Sequence, residues 1–194
     1  IDPLIAGLRS SAVELQASAA GALQSVCFQH CGRIAVRNNG GVEALIPLLS
    51  SSEARVCTRT IGALHNLSSD LLSIRQIRVS GGIGPIVRLL SCPYAGACGS
   101  AAGTLQNISR EIKCRTLLRS QHNVVGPLSD LLFASDVYAS SCACGALLNI
   151  VGPEFGEDEG PDNHSRNEFK RLLSDSLAMG MMWHAVFEKG DDES

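Results

Sequence analysis

One short segment returns along the chain at a fixed interval. Gly62-Ala-Leu-His-Asn-Leu-Ser68 recurs as Gly103-Thr-Leu-Gln-Asn-Ile-Ser109 and Gly145-Ala-Leu-Leu-Asn-Ile-Val151, with a worn copy at Gly21-Ala-Leu-Gln-Ser-Val26. Successive glycines stand 41, 41 and 42 residues apart. Self-similarity at such a period means an array of stacked supersecondary units, in which each unit buries its apolar face only against its neighbours. The composition agrees. Hydrophobic residues make up 45% of the chain but aromatics only 4%, so thin helical layers of Leu, Ile, Val and Ala are expected rather than one bulky core.

Within a period the apolar spacing is helical throughout. In residues 40–80, Gly40-Gly41 break the chain and residues 42–49 read as a short helix. Ser50-Ser-Ser-Glu53 then reads as a capping box, the serine oxygen accepting a free amide and Glu53 reaching back. Val56, Ile61, Leu64 and Leu67 place a long helix over 55–67. Ser69-Asp70 can cap a medium helix over 71–79, which Gly81-Gly82 would end. The same order recurs at 83–90, 99–108 and 112–118, then at 124–132 and 138–150. The first unit reads as 1–8, 13–28 and 32–36. Short helices thus start at Ile1, Val42, Ile83 and Val125.

The repeats account for residues 1–151, divided as 1–39 (truncated), 40–80, 81–122 and 123–151. Residues 152–164 are an acidic, Gly/Pro-rich loop by composition. Ser165-x-x-Glu168 then opens a C-terminal helix over 165–188, with Phe169, Leu172, Leu173, Leu177, Met181, Trp183, His184 and Phe187 on its apolar side. The end of a solenoid exposes an apolar layer, so this helix is expected to cap it, to begin a diverged repeat, or to regulate it. Residues 189–194 are an acidic tail. Residues 1–150 carry a net charge of +4 and residues 151–194 carry −7, which allows an intramolecular contact of the tail with the body.

Several functions find no support in the residues. No dense basic stripe suggests nucleic acid, and no apolar run approaches the roughly 20 residues of a membrane span. The chain has no signal peptide and opens on Ile1, as a piece of a longer protein would. Cys27, Cys57, Cys98, Cys142 and Cys144 sit in small-residue helical stretches and read as reduced core thiols of a cytosolic or nuclear protein. Cys27-x-x-His30-Cys31 lacks a fourth ligand for zinc. Asn66, Asn107 and Asn163 begin Asn-x-Ser sequons, and the first two belong to the helical signature itself. No catalytic constellation, strand or phosphate loop is found, so no enzyme, cofactor or metal is expected.

The pairing of Gly-Gly-Val-Glu-Ala-Leu-Ile-Pro-Leu-Leu with Gly-Ala-Leu-His-Asn-Leu-Ser resembles an armadillo repeat. The run from Thr60 through Leu90 is similar to the beta-catenin and plakophilin branch of that family. The resemblance implies an all-α, right-handed superhelical solenoid of about four three-helix repeats plus the C-terminal helix, with the long helices lining a concave groove. It also implies a protein-interaction scaffold or adaptor in adhesion or signalling, cytoplasmic, nuclear or at cell junctions. An extended or helical partner segment would lie in the groove. The alternative is a spacer within a longer solenoid, with no ligand of its own.

Asn66, Asn107 and Asn149 share one phase and are the first candidates for the groove. A carboxamide offers donors and an acceptor, and could hold the backbone of an extended peptide without reading its side chains. It could equally satisfy backbone within its own helix pair. The matching residue in the first unit is Ser25. One position earlier stand Gln24, His65, Gln106 and Leu148. Seven positions before the Asn phase stand Ser18, Arg59, Ser100 and Cys142, with Arg55 a further turn back. Arg55, Arg59 and His65 would form a small basic spot suited to an acidic partner. Four positions before each Asn, where importin alpha carries tryptophan, stand glycines, so lysine stems cannot stack there. Those glycines, Gly21, Gly62, Gly103 and Gly145, sit mid-helix at a cost of roughly 0.5–1 kcal/mol each against Ala. They imply either close helix packing or room for a ligand backbone.

Overall fold

The computed structural model describes residues 1–120, 123–152 and 167–177. Eleven consecutive α-helices run through the first two stretches: α1 (Asp2–Leu8), α2 (Val13–Val26), α3 (His30–Asn38), α4 (Gly41–Leu45), α5 (Ala54–Leu67), α6 (Leu71–Val79), α7 (Ile83–Arg88), α8 (Ala95–Ile108), α9 (Ile112–Ser120), α10 (Val125–Leu132) and α11 (Val137–Val151). The short helices α4 and α7 tighten into 3-10 turns at Ile46–Ser50 and Leu89–Ser91. Pro47 lies in the first of these turns, and its missing amide hydrogen cannot continue an α-helical ladder. The described elements thus follow the expected short, long and medium order.

The long helices α2, α5, α8 and α11 lie side by side as one wall, each packed on the next. The short helices back them: α1 on α2, the two 3-10 turns on α5 and α8, and α10 on α11. The repeat itself builds the core. Leu23, Leu64, Leu105 and Leu147, between the Gly and Asn phases, are all buried. Ile108 and Ile150, at the equivalent of Leu67, are buried too. Each such side chain contributes about 1.5–3 kcal/mol on leaving water, and the fourfold beat distributes that gain over successive interfaces.

Helix ends show where local sequence rules hold and where they do not. Asp70 caps α6, accepting from the Ser73 amide at 3.1 Å. After α6, Gly81 adopts φ +73; its amide donates to the Arg78 carbonyl and that of Gly82 to the Ile77 carbonyl. That is the left-handed glycine stop, which a residue with a Cβ adopts only with strain. The capping box at Ser50–Glu53 does not form. Glu53 itself is the N-cap of α5 and makes no side-chain cap bond. The Ser51 hydroxyl instead accepts from the Glu53 amide at 3.2 Å. The serine therefore shapes the turn before the helix, not its first amides.

A further helix spans 167–177 and sets Phe169 into the core, with Leu173 packed against it. Leu172, Asp175 and Ser176 face Asn123, Val125 and Gly126 across a hollow of about 290 Å³, so this helix lies against the start of α10. Ser165, most of the 152–164 loop, residues 178–188 with Met181, Trp183, His184 and Phe187, and the acidic tail lie outside the described residues.

The thiols divide differently from expectation. Cys27, Cys57, Cys98, Cys114 and Cys142 are buried, whereas Cys31 and Cys144 are exposed, and all eight cysteines are free. Cys144 follows the buried Ala143 and so falls on the outer side of α11. Burial pushes the Cys27 thiol up to about 12.

Candidate functional site: the wall of long helices

The amides of the repeat do one job in common. Asn66 Nδ2 donates to the Gln24 carbonyl at 2.8 Å, and Asn149 Nδ2 to the Gln106 carbonyl at 3.1 Å. Asn107 Nδ2 donates to the Ser68 hydroxyl at 2.9 Å. Each asparagine thus ties its helix to the end of the preceding long helix, one repeat back. All three are half-buried. A carboxamide carries two N–H groups and an acceptor, and in each residue only one nitrogen contact is used among the described residues. Ser25, at the same phase, is exposed and bonds back to the Gly21 carbonyl within its own helix.

The glycines make room for side chains from neighbouring repeats. A Cβ at Gly62 would collide with the Gln24 amide, one at Gly103 would lie 2.6 Å from the His65 ring, and one at Gly145 would collide with the Gln106 amide. So the residue just before each Asn phase drapes over the glycine of the next repeat. At Gly21 the occupant comes from the other direction: Arg59 Nη1 lies 2.8 Å from that Cβ position. Packing between repeats therefore accounts for the four glycines. At Gly62 the obstacle is the free end of a long side chain. Gly62→Ala is accordingly expected to shift stability by less than about 1 kcal/mol, the helix gain offsetting displacement of Gln24, as thermal melting would show.

The basic spot is largely committed. Arg55 pairs with Glu14 at 2.8 Å in the open. Arg59 donates to the Ala17 carbonyl at 3.0 Å. Burial holds the His65 imidazole below its ordinary pKa, so the ring is neutral at pH 7. Tyr138, from α11, covers it. The phenol meets His65 Nε2 at 3.2 Å and the rings stand edge to face, with centroids 6.4 Å apart. Between them lies α8, where Gly99 and Gly103 leave space for the tyrosine ring. Burial, with Cys142 and Asp136 nearby, pushes the Tyr138 phenol up to about 12. Tyr138→Ala should therefore re-expose His65 and move its pKa up toward the ordinary value, as an NMR titration of the imidazole would report.

A further set of residues, outside the sequence candidates, pins the repeats at the edge of the wall. Arg37 on α3 bonds Asp70, and Arg78 on α6 holds Glu111 in a two-point bond at 2.9 and 3.2 Å. Arg119 on α9 donates to the Ile150 carbonyl at 2.8 Å. The arginines stand at the repeat's own spacing of 41 residues, and that was the signal available in the sequence. For both acids burial works to raise the pKa. Bonds from Ser73 and Arg37 outweigh it at Asp70, and bonds from Arg78 and Cys114 outweigh it at Glu111, so both stay below the usual carboxylate range.

The Armadillo/beta-catenin-like repeat family model matches residues 32–69 and 73–110. Those two stretches are armadillo repeats. Solved structures agree on the architecture. Two engineered proteins of the Northeast Structural Genomics Consortium superpose with TM-scores of 0.75 and 0.76, each at 28% identity over 90% of this chain. This chain spans 67% of the first and only 40% of the second. A designed armadillo repeat protein in complex with the peptide (KR)4 has a TM-score of 0.75 at 20% identity, covering 92% of this chain and 70% of its own. At that identity the likeness speaks to fold alone. No curated protein matches the chain. Among the described residues, no group of three potential metal ligands comes together and no helix is long and apolar enough to cross a membrane.

Proposed function

We propose that this armadillo array is a protein-interaction scaffold that holds an extended partner segment along the wall of long helices. The observation that carries the reading is the register of Asn66, Asn107 and Asn149 on three consecutive long helices, half-buried and each with hydrogen-bonding capacity left over. Spaced one repeat apart, they can meet the N–H and C=O groups of an extended chain, whatever its side chains. A designed relative of the same fold is in complex with a peptide, which supports the mode. Gln106, His65 and Arg59 flank the asparagines and would tune the choice of partner. Because Arg55 is paired and His65 neutral, Arg59 is left as the main source of preference for an acidic segment. Glycine in place of tryptophan four residues before each Asn keeps the beta-catenin and plakophilin-like branch as the model. Eight free thiols suit a reducing compartment such as the cytoplasm or nucleus.

The second reading, a spacer without a ligand, is favoured by one observation: each Asn already holds two long helices together. Selection of peptides from a displayed library on the 194-residue chain separates the two. A scaffold enriches peptides whose binding fails in the Asn66→Ala, Asn107→Ala variant. A spacer enriches none, or enriches peptides indifferent to that variant.

A further inference from the structure

The rim of the wall carries a feature that neither the fold nor the asparagine row explains. Between α6 and the turn from α8 into α9 lies an open trough of about 570 Å³. It is lined by Leu71, Arg75, Arg78, Arg110, Ile112 and Lys113, with Glu111 among them. A second hollow of about 260 Å³ continues past Leu71 and Arg110 to Ser69 and Ile74. Four cations thus face one carboxylate.

That carboxylate is already used. Glu111 holds Arg78 in the inter-repeat pin, which recurs as Arg37 with Asp70 one unit earlier. The other three cations do not recur. One period before Arg75, Arg110 and Lys113 stand Ile34, Ser69 and Leu72, and one period after Arg75 and Arg110 stand Thr116 and Val151. The array folds without cations at these positions, so stacking does not require them here. Arg75 approaches Glu111 only to 3.9 Å, and Arg110 and Lys113 make no ion pair among the described residues. Glu111 offsets only part of the repulsion among them, and against its single charge the four cations leave the trough with an excess of positive charge. Leu71 and Ile112, each 51% exposed, stand among them.

We infer that this trough is a second docking site, for an acidic partner segment that presents an apolar side chain flanked by carboxylates. The apolar side chain lies between Leu71 and Ile112, and the carboxylates meet Arg75, Arg110 and Lys113. Charge complementarity selects this occupant. The lining has no aromatic ring on which a nucleic-acid base could stack. The site is independent of the asparagine row.

Fluorescence anisotropy on the 194-residue chain tests it, with a labelled peptide in which glutamates flank one leucine. We expect saturable binding that weakens with added salt. The exposed-site double reversal Arg110→Glu, Lys113→Glu should weaken it about tenfold or more. Replacing the peptide's leucine by glycine should weaken it several-fold. Arg88→Glu, an exposed reversal on α7, and the Asn66→Ala, Asn107→Ala variant should leave it unchanged, which separates this site from the groove. Melting of each variant confirms that the array is intact. Equal binding by the double reversal, equal binding of the glycine peptide, or tighter binding of a single-stranded oligonucleotide would each overturn the inference.

Discussion

Glu111→Ala is expected to destabilise the array by about 2–3 kcal/mol, the usual worth of bonds to a charged group when their loss leaves the partner unsatisfied. Arg78 and Glu111 are mostly enclosed, with side-chain exposures of 19% and 12%. Removing the carboxylate strands the guanidinium beside Arg75 and takes the acceptor from Cys114, whose thiol lies 3.0 Å from Glu111. Because a solenoid is held by its nearest-neighbour interfaces, the loss falls on the junction of the second and third repeats. For a chain of this size it should appear as a drop in melting temperature of roughly 4–12 °C. An unchanged melting curve would mean that the pin is ornamental.

The same pair gives a pH signature. Asp70 and Glu111 are held below their ordinary values of 3.8 and 4.5 in the fold. Their contribution is therefore complete above those values, and it is lost as pH falls through the depressed folded ones. The acid limb of the wild-type stability profile should be shallower in Glu111→Gln, where only the Asp70 part remains.

How far the sequence reaches can be judged residue by residue. The period fixes the helix order, and the spacing of Val56, Ile61, Leu64 and Leu67 marks the side of the long helix that the fold buries. The 3-10 turns and the failed box at Ser50–Glu53 were not legible. Both depend on which of several nearby amide donors a serine oxygen or a carbonyl accepts from, and that is settled by the folded backbone. The row of Arg37, Arg78 and Arg119 was legible in principle, since it keeps the repeat's own interval. Tyr138 over His65 was not, because 73 residues is no multiple of the period. The asparagines stand between these cases. Their phase is visible in sequence, but not the carbonyls and hydroxyl to which each donates.

Those bonds decide what the asparagine variant should do. If a ligand spans Asn66 and Asn107, each carboxamide can add two bonds to its backbone, worth at the low end about 0.5 kcal/mol apiece. Four such bonds come to about 2 kcal/mol, so Asn66→Ala with Asn107→Ala should weaken a selected peptide roughly thirtyfold. The variant also removes the ties to the Gln24 carbonyl and the Ser68 hydroxyl. A stability loss of about 1–3 kcal/mol is therefore expected alongside, which makes binding alone an ambiguous readout. Affinity should be measured well below the melting temperature of the variant, where the folded fraction is near complete. Ser25→Ala supplies the control, since that hydroxyl bonds only within its own helix and should change neither quantity by much. A thirtyfold loss of affinity in a fully folded variant would establish the asparagine row as the peptide-holding element. Loss of stability with affinity intact would assign it to stacking alone.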